Sequence, residues 1–326
     1  MRSKEVDIAK GLCIIIMITV HAMSWWGRHE WINLYTCPFF LPFFFFASGF
    51  FFKEPDSILE YILKRLKRLV LPYAVVAISI LIYRNMTGFK NMRILIDSLI
   101  YALPADFTKE QLIAGAGTIG IGPVWFLNCL FVCNCMYLFL RKIKRPLRWI
   151  IILCMSVAAN ITQRYFVLPL NLQDAAIGLI YFEAGRCLYP YIYRGIECGR
   201  KHIQQLILIL IGTFVIYFAD IRYVPNQWID LGTNRFSFEA LIGSVLGFTI
   251  TLGVSVLISR ISILNEIIEF VGRNSMVILV LHTIDMAYLR HWSDMNGLFF
   301  LLTFVFYIGI SYVYIEVKTA IRRSSK

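Results

Sequence analysis

Asp7-Ile-Ala-Lys10-Gly-Leu-Cys-Ile-Ile-Ile-Met-Ile-Thr-Val-His21 decides how the rest of the chain is read. It belongs to an apolar run at 8–26, within the range of about 17–25 residues that crosses a bilayer as a helix. No small-residue cleavage site follows the run, so it reads as a span and not as a signal peptide. Lys10 and His21 stand eleven residues apart, which leaves only about 20° between their directions on a helix; Asp7 falls about 40° from the same line. His21 therefore sits about 16 Å beyond Lys10, near the middle of a hydrocarbon core about 30 Å thick. Ionisable groups at that depth are unfavourable and usually mark function. The geometry describes a polar shaft with charges at its mouth and an imidazole at its end. Two readings of His21 stand: a base, since imidazole exchanges protons near neutral pH, or a histidine hydrogen-bonded between helices.

The remaining sequence agrees with a membrane setting. Of 326 residues 59% are hydrophobic and 16% charged, with a mean hydropathy of +0.68. Soluble domains are about 45–50% apolar and about 25% charged, so a soluble domain, a disordered chain and a disulfide-stapled secreted module are excluded. Ten candidate spans can be drawn, at about 8–26, 35–52, 69–83, 119–140, 149–163, 174–192, 203–221, 239–258, 270–289 and 297–317. The net charge of +12 tests them. With a cytoplasmic N-terminus, 22 of the 32 Lys and Arg fall on the inner side, nine on the outer side, and Arg186 within a span. That asymmetry follows the positive-inside rule and leaves no excess charge for nucleic acid to explain. The expectation is an all-α integral membrane protein, one domain over 1–326, with about ten transmembrane helices, both termini cytoplasmic and no soluble domain. No internal repeat supports an inverted-repeat transporter.

Several further groups stand out. Pro42, Ser48 and Gly49 interrupt the aromatic run 39–50; the phenylalanines read as packing or lipid-facing, and Ser48-Gly49 as site lining. Lys64, Arg65, Lys67 and Arg68 form an anion site, either for lipid headgroups or for a phosphate-rich soluble ligand; charge alone favours headgroups. Gly122-Pro-Val-Trp125-Phe-Leu-Asn128 opens the fourth span from outside, and Glu183 and Arg186 are spaced to pair with each other. His282 is a second intramembrane histidine, with Asp285 either orienting it or standing at the outer interface. The gap 84–118 holds an amphipathic stretch near 94–103 and the turn Ala114-Gly-Ala-Gly-Thr118, read as a surface helix, a lid or a plain loop. The eight cysteines show no disulfide framework, and Cys129, Cys133 and Cys135 read as packing thiols, not metal ligands.

In this order, Asp7-Ile-Ala-Lys10-Gly with His21, then Pro42 with Ser48-Gly49-Phe50, then Arg65 and Arg68 before Leu71-Pro72, then Pro123-Val-Trp-Phe126, and finally Gly272-Arg-Asn-Ser275 with His282, the chain resembles the acyltransferase-3 membrane acetyltransferases. It looks most like stand-alone bacterial members that O-acetylate sugars and surface polysaccharides, the fucose-4-O-acetylase-like group. The family often has Arg where Lys10 stands; Lys keeps the charge without the planar fork. The resemblance implies cytoplasmic acetyl-CoA as acyl donor, no metal, a sugar or polysaccharide acceptor, a place in the bacterial inner membrane among lipids, and polysaccharide-assembly proteins as neighbours. It implies a catalytic set of His21, Lys10 and Asp7, CoA phosphates on Arg65, Arg68 and Lys67, and site lining by Ser48, Trp125, Asn128, Glu183 and His282. Outer aromatics (Trp25, Trp26, Trp31, Tyr223, Trp228) then read as sugar platforms or as an interfacial belt. No fused extracytoplasmic module is expected after the last span. The alternatives are a non-enzymatic exporter of a polysaccharide precursor or small anion, and an envelope-assembly scaffold, which has no need of a buried histidine.

Overall fold

Two prolines and an asparagine decide where the apolar stretches bend. The computed structural model describes residues 3–25, 30–86, 91–223, 229–230, 235–236, 240–288 and 297–324. The first stretch carries no proline and is one uninterrupted helix, α1 (Lys4–Trp25). Pro42 divides the second into α2 (Glu30–Phe40) and α3 (Pro42–Phe50), taking the first position of α3, where a missing N–H is harmless. The third runs from α4 (Ile58–Arg65) through a π-helical turn, Leu66–Val70, into α5 (Leu71–Met86). Pro72 cannot donate to the preceding turn and its ring crowds the carbonyl there. The chain widens just before it, and Leu71 N–H reaches Leu66.

α6 (Met92–Tyr101) is the surface helix expected in the long gap. The Gly-rich turn folds onto it: Ala116 N–H donates to Asp97 at 2.7 Å and Ile119 N–H to Ser98 Oγ at 2.8 Å. It is thus an ordered cap, not a plain loop. α7 (Trp125–Leu140), α8 (Arg145–Thr162), α9 (Leu172–Lys201), α10 (Ile203–Tyr223) and α11 (Ala240–Ile258) follow. Next comes a pair bent by 74°, α12 (Ser262–Arg273) and α13 (Ser275–Tyr288), then α14 (Gly297–Ser324). Asn274 makes the bend, its side chain turning back to Phe270 O at 2.9 Å. A two-residue hairpin, Ile229–Asp230 with Arg235–Phe236, is the strand pairing among the described residues.

Within the described residues each of the ten apolar stretches is mainly helical. Among the described residues, four helices are long and apolar enough to cross a membrane unaided, Ile58–Met86, Gly122–Leu140, Ile203–Tyr223 and Ala240–Ile258, and the bent pair makes a fifth. The chain is an all-helical membrane protein. Its ionic contacts fall at two ends. At one, Glu5 pairs with Arg200 (Nε–Oε1 2.9 Å), and Glu54 with Arg141 and Arg186 (3.2 and 2.7 Å). At the other, Arg84 meets Asp106 and Arg93 meets Asp97 (3.4 and 3.1 Å).

Helices that gain no water exclusion from lipid associate through close packing. The aromatic run supplies it: Phe43, Phe45 and Phe46 are buried, and Phe43 meets Phe248 edge to face at 5.4 Å. α3 crosses α9 at Gly49, where a Cβ would lie 1.8 Å from Phe182 O, so only hydrogen fits. α1 lies against α11, α12 and α13. At its crossing with α12 a Cβ on Gly272 would fall 1.7 Å from Asp7 O. That contact brings Asp7 and Arg273 together.

Candidate active site

Asp7 and Lys10 occupy one face of α1, as their spacing predicts, and the packed α1–α12 crossing adds a third charge. Lys10 Nζ sits 2.7 Å from Asp7 Oδ1, and Arg273 Nε 3.8 Å from Asp7 Oδ2. Asp7 is 1% exposed. One buried carboxylate thus answers two cations, and Lys10 also lies 5.7 Å above the Phe51 ring. Arg273 belongs to the Gly272-Arg-Asn-Ser275 motif of the resemblance, but neither motif nor spacing assigns it to the Asp7 site.

These residues border a cavity of about 590 Å³, inside the range of about 300–1,000 Å³ typical of small-molecule sites. Its mouth carries Lys53, Lys64, Arg65, Arg68 and Arg273. Arg65 lies flat over Tyr61, 5.1 Å from ring centre to guanidinium carbon, and Tyr61 is anchored through its hydroxyl to Asn134 Oδ1 at 2.8 Å. Lys67 does not line the cavity, whereas Arg65 and Arg68 do. Two residues beyond Arg65, it points about 200° around the helix. Ser48 lines the cavity as expected.

Above the mouth the lining becomes apolar, with Ile14, Met17, Phe44, Phe126 and Leu279. Met17 stands one turn before His21, and Leu279 one turn before His282. The cavity therefore ends beneath the two intramembrane histidines, and the fold pairs them: their ring centroids are 5.3 Å apart, tilted by 38°. Beyond them, Tyr307 of α14 donates to Asp285 Oδ2 at 2.5 Å and lies 3.5 Å from His282 Nδ1. Asp285 thus reaches His282 through Tyr307. His282 is 2% exposed, and its Nε2 has no hydrogen-bond partner among the described residues. A buried polar atom left unmatched costs about 1–3 kcal/mol. From the far end Gly122 packs over this level, its Cβ position 3.6 Å from Thr283 Cγ2.

Other expected site residues are placed elsewhere. Trp125 is buried in the core against Phe126, outside the cavity wall. Asn128 donates to Asn171 Oδ1 at 3.1 Å, and Asn171 to Ala102 O at 3.0 Å, so Asn128 ties α7 to the outer cap. Glu183 and Arg186 do not pair. Glu183, fully buried, takes Arg148 Nε at 2.9 Å and Nη2 at 2.7 Å, and the Tyr137 hydroxyl at 2.6 Å. Arg186 turns outward to Tyr137 and Glu54, both at 2.7 Å. A guanidinium reaching Oε1 from α8, with the Tyr137 hydroxyl on Oε2, satisfies both oxygens of the buried carboxylate. Tyr223 is 81% exposed; Trp26, Trp228 and the side chains of Trp25 and Trp31 lie outside the described residues.

The arrangement is a basic entrance, an apolar passage and a paired imidazole centre, on one path. It can hold a polyanion with a slender stem and present the stem's tip to a base. No curated protein and no solved structure matches the chain. A family model does: the acyltransferase domain of the acyltransferase-3 type matches residues 3–315. Matched over nearly its whole length, the chain belongs to the acyltransferase-3 family of membrane acyltransferases.

Proposed function

We propose that the protein is an acyl-CoA-dependent O-acetyltransferase of a bacterial inner membrane, moving acetyl from cytoplasmic acetyl-CoA to a hydroxyl of a sugar or cell-surface polysaccharide precursor. The observation that carries this reading is the continuous path from the Arg65/Arg68 mouth to the level just below His21. CoA fits its chemistry: phosphates for the arginines, a narrow amide-bearing stem for the passage, a thioester at the tip. His21 takes the hydroxyl proton as the oxygen bonds the acetyl carbon, the carbon–sulfur bond breaks, and the departing thiolate receives the proton. Lys10, about 16 Å from His21 along the helix, is too far to touch the reacting carbonyl. It instead holds a polar part of the donor's stem, with Asp7 and Arg273 fixing its position.

Two measurements test the reading. CoA stabilises the purified protein against heat, and Arg65→Ala/Arg68→Ala abolishes that shift. Acetate on the surface glycan is lost in a His21→Ala strain. Normal acetylation with stably expressed His21→Ala refutes the mechanism, and precursor flux without acyl-CoA consumption identifies an exporter instead.

A further inference from the structure

His282, Tyr307 and Asp285 lie beyond the cavity and have no part in binding a donor. Their geometry nonetheless fixes a chemical state. Tyr307 has one hydroxyl proton, and its 2.5 Å contact with Asp285 Oδ2 uses it. Toward His282 Nδ1, at 3.5 Å, the phenol oxygen can then only accept. With Asp285 ionised, this geometry selects the neutral His282 tautomer that carries its proton on Nδ1 and a lone pair on Nε2. That lone pair is the atom with no partner among the described residues. Beside it stands the His21 ring, at a centroid separation of 5.3 Å. Rings so spaced can turn one nitrogen each to within hydrogen-bond reach, about 3 Å.

We propose that His282 is the positioning partner of His21. It is held as the Nδ1–H tautomer by Tyr307 and Asp285, and its Nε2 accepts the N–H of His21 when His21 carries the acceptor's proton. This rests on the transferase reading. The proton itself goes from the acceptor hydroxyl to His21 and on to the CoA thiolate; His282 neither gains nor loses one. Its lone pair steadies the transient imidazolium and sets which nitrogen of His21 faces the reacting hydroxyl. The arrangement gives a buried base an orienting acceptor, built from a second imidazole instead of a carboxylate at contact distance. The carboxylate, Asp285, acts one step removed through Tyr307.

The test uses the full chain in liposomes or native membranes. His282→Gln keeps an accepting oxygen; His282→Leu keeps volume and apolarity only. The expected result is a kcat about 10–100-fold below wild type for His282→Leu, a smaller loss for His282→Gln, and KM for acetyl-CoA within about twofold for both. Tyr307→Phe lowers kcat in the same sense, because it frees the tautomer. A purely packing role predicts the reverse order, with Leu the better tolerated. Solid-state 15N spectra, with the His282 signal assigned by difference against His282→Gln, give a second reading that needs no turnover: an Nδ1–H tautomer in wild type, mixed in Tyr307→Phe. An Nε2–H tautomer in wild type, or His282→Leu as active as wild type, overturns the proposal and leaves the transferase reading intact. Absence of acetyl transfer by the wild-type protein refutes the transferase reading itself.

Discussion

Removing Arg148 tests the buried charge network more sharply than any surface change. Glu183 is fully buried and accepts one hydrogen bond each from Arg148 Nε, the Tyr137 hydroxyl and Cys187 Sγ (3.1 Å), with Arg148 Nη2 in an ion pair with the same Oε1. Arg148→Met leaves that carboxylate charged without its cation, a loss of about 3–5 kcal/mol. Glu183→Leu is milder, about 2–3 kcal/mol, because Arg148 Nη1 keeps the carbonyls of Arg141 and Ile143 at 3.0 and 3.1 Å. The double variant removes both charges and strands only neutral groups, the Tyr137 hydroxyl proton, the Cys187 thiol and the Arg141 and Ile143 carbonyls, so it falls within about 2 kcal/mol of wild type. The coupling is then at least about 3 kcal/mol. In detergent, at one scan rate, Arg148→Met should melt roughly 6–10 °C below wild type and the double variant within a few degrees of it. A double variant that melts at the sum of the single losses refutes the account, since independent residues add.

Other outcomes follow from the same contacts. Gly272→Ala pushes a methyl into Asp7 O, destabilising by about 1–3 kcal/mol or more, and shrinks the CoA-induced thermal shift because Asp7 and Arg273 move apart; Gly195→Ala, with nothing within 4 Å, leaves both readings unchanged. Isothermal titration should give Arg65→Ala/Arg68→Ala a CoA affinity about 10–100-fold weaker, with a reduced salt dependence, while Lys67→Ala stays within about twofold. Tyr61→Ala should weaken CoA binding several-fold by releasing the Arg65 side chain, and Tyr61→Phe less, since the ring under the guanidinium remains. Met17→Ala or Leu279→Ala opens the end of the passage, and turnover of longer acyl-CoAs relative to acetyl-CoA should rise; an unchanged ratio places the acyl group elsewhere.

Where the chain is helical was legible because apolar runs and breaker residues are local signals. The face shared by Asp7, Lys10 and His21 was legible for the same reason: periodicity on one uninterrupted helix survives folding. What local rules could not supply is choice of partner. Glu183 and Arg186 are spaced to pair, yet Arg148 from another helix outcompetes Arg186, and Arg148 stands just outside the candidate span 149–163. Asn128 and Trp125 look like site residues because a polar or aromatic group in a span is conspicuous, but one ties α7 to the outer cap and the other fills core. Tyr307 gave no signal at all. Its role exists only because α14 passes beside α13, 22 residues from Asp285 in sequence.

The excess of positive charge has two physical tasks that the cavity separates. Loop cations meet water and set orientation; they need no partner. The cavity is bordered by six cations, Lys10, Lys53, Lys64, Arg65, Arg68 and Arg273, and four carboxylates, Asp7, Glu54, Asp56 and Glu60. Glu54 is held by Arg141 and Arg186, which lie outside the wall, so its charge is not available to the cavity cations. Asp7 is shared between Lys10 and Arg273. Against Lys53, Lys64, Arg65 and Arg68 the wall sets Asp56 and Glu60, so an excess of positive charge remains at the mouth. That excess favours the entry of a polyanion. A lipid headgroup could satisfy it from the membrane surface, but a headgroup has no use for the apolar passage that continues inward to Met17 and Leu279. A ligand with phosphates at one end and a slim neutral stem at the other would use both, its tip directed to the level where the His21 and His282 rings meet.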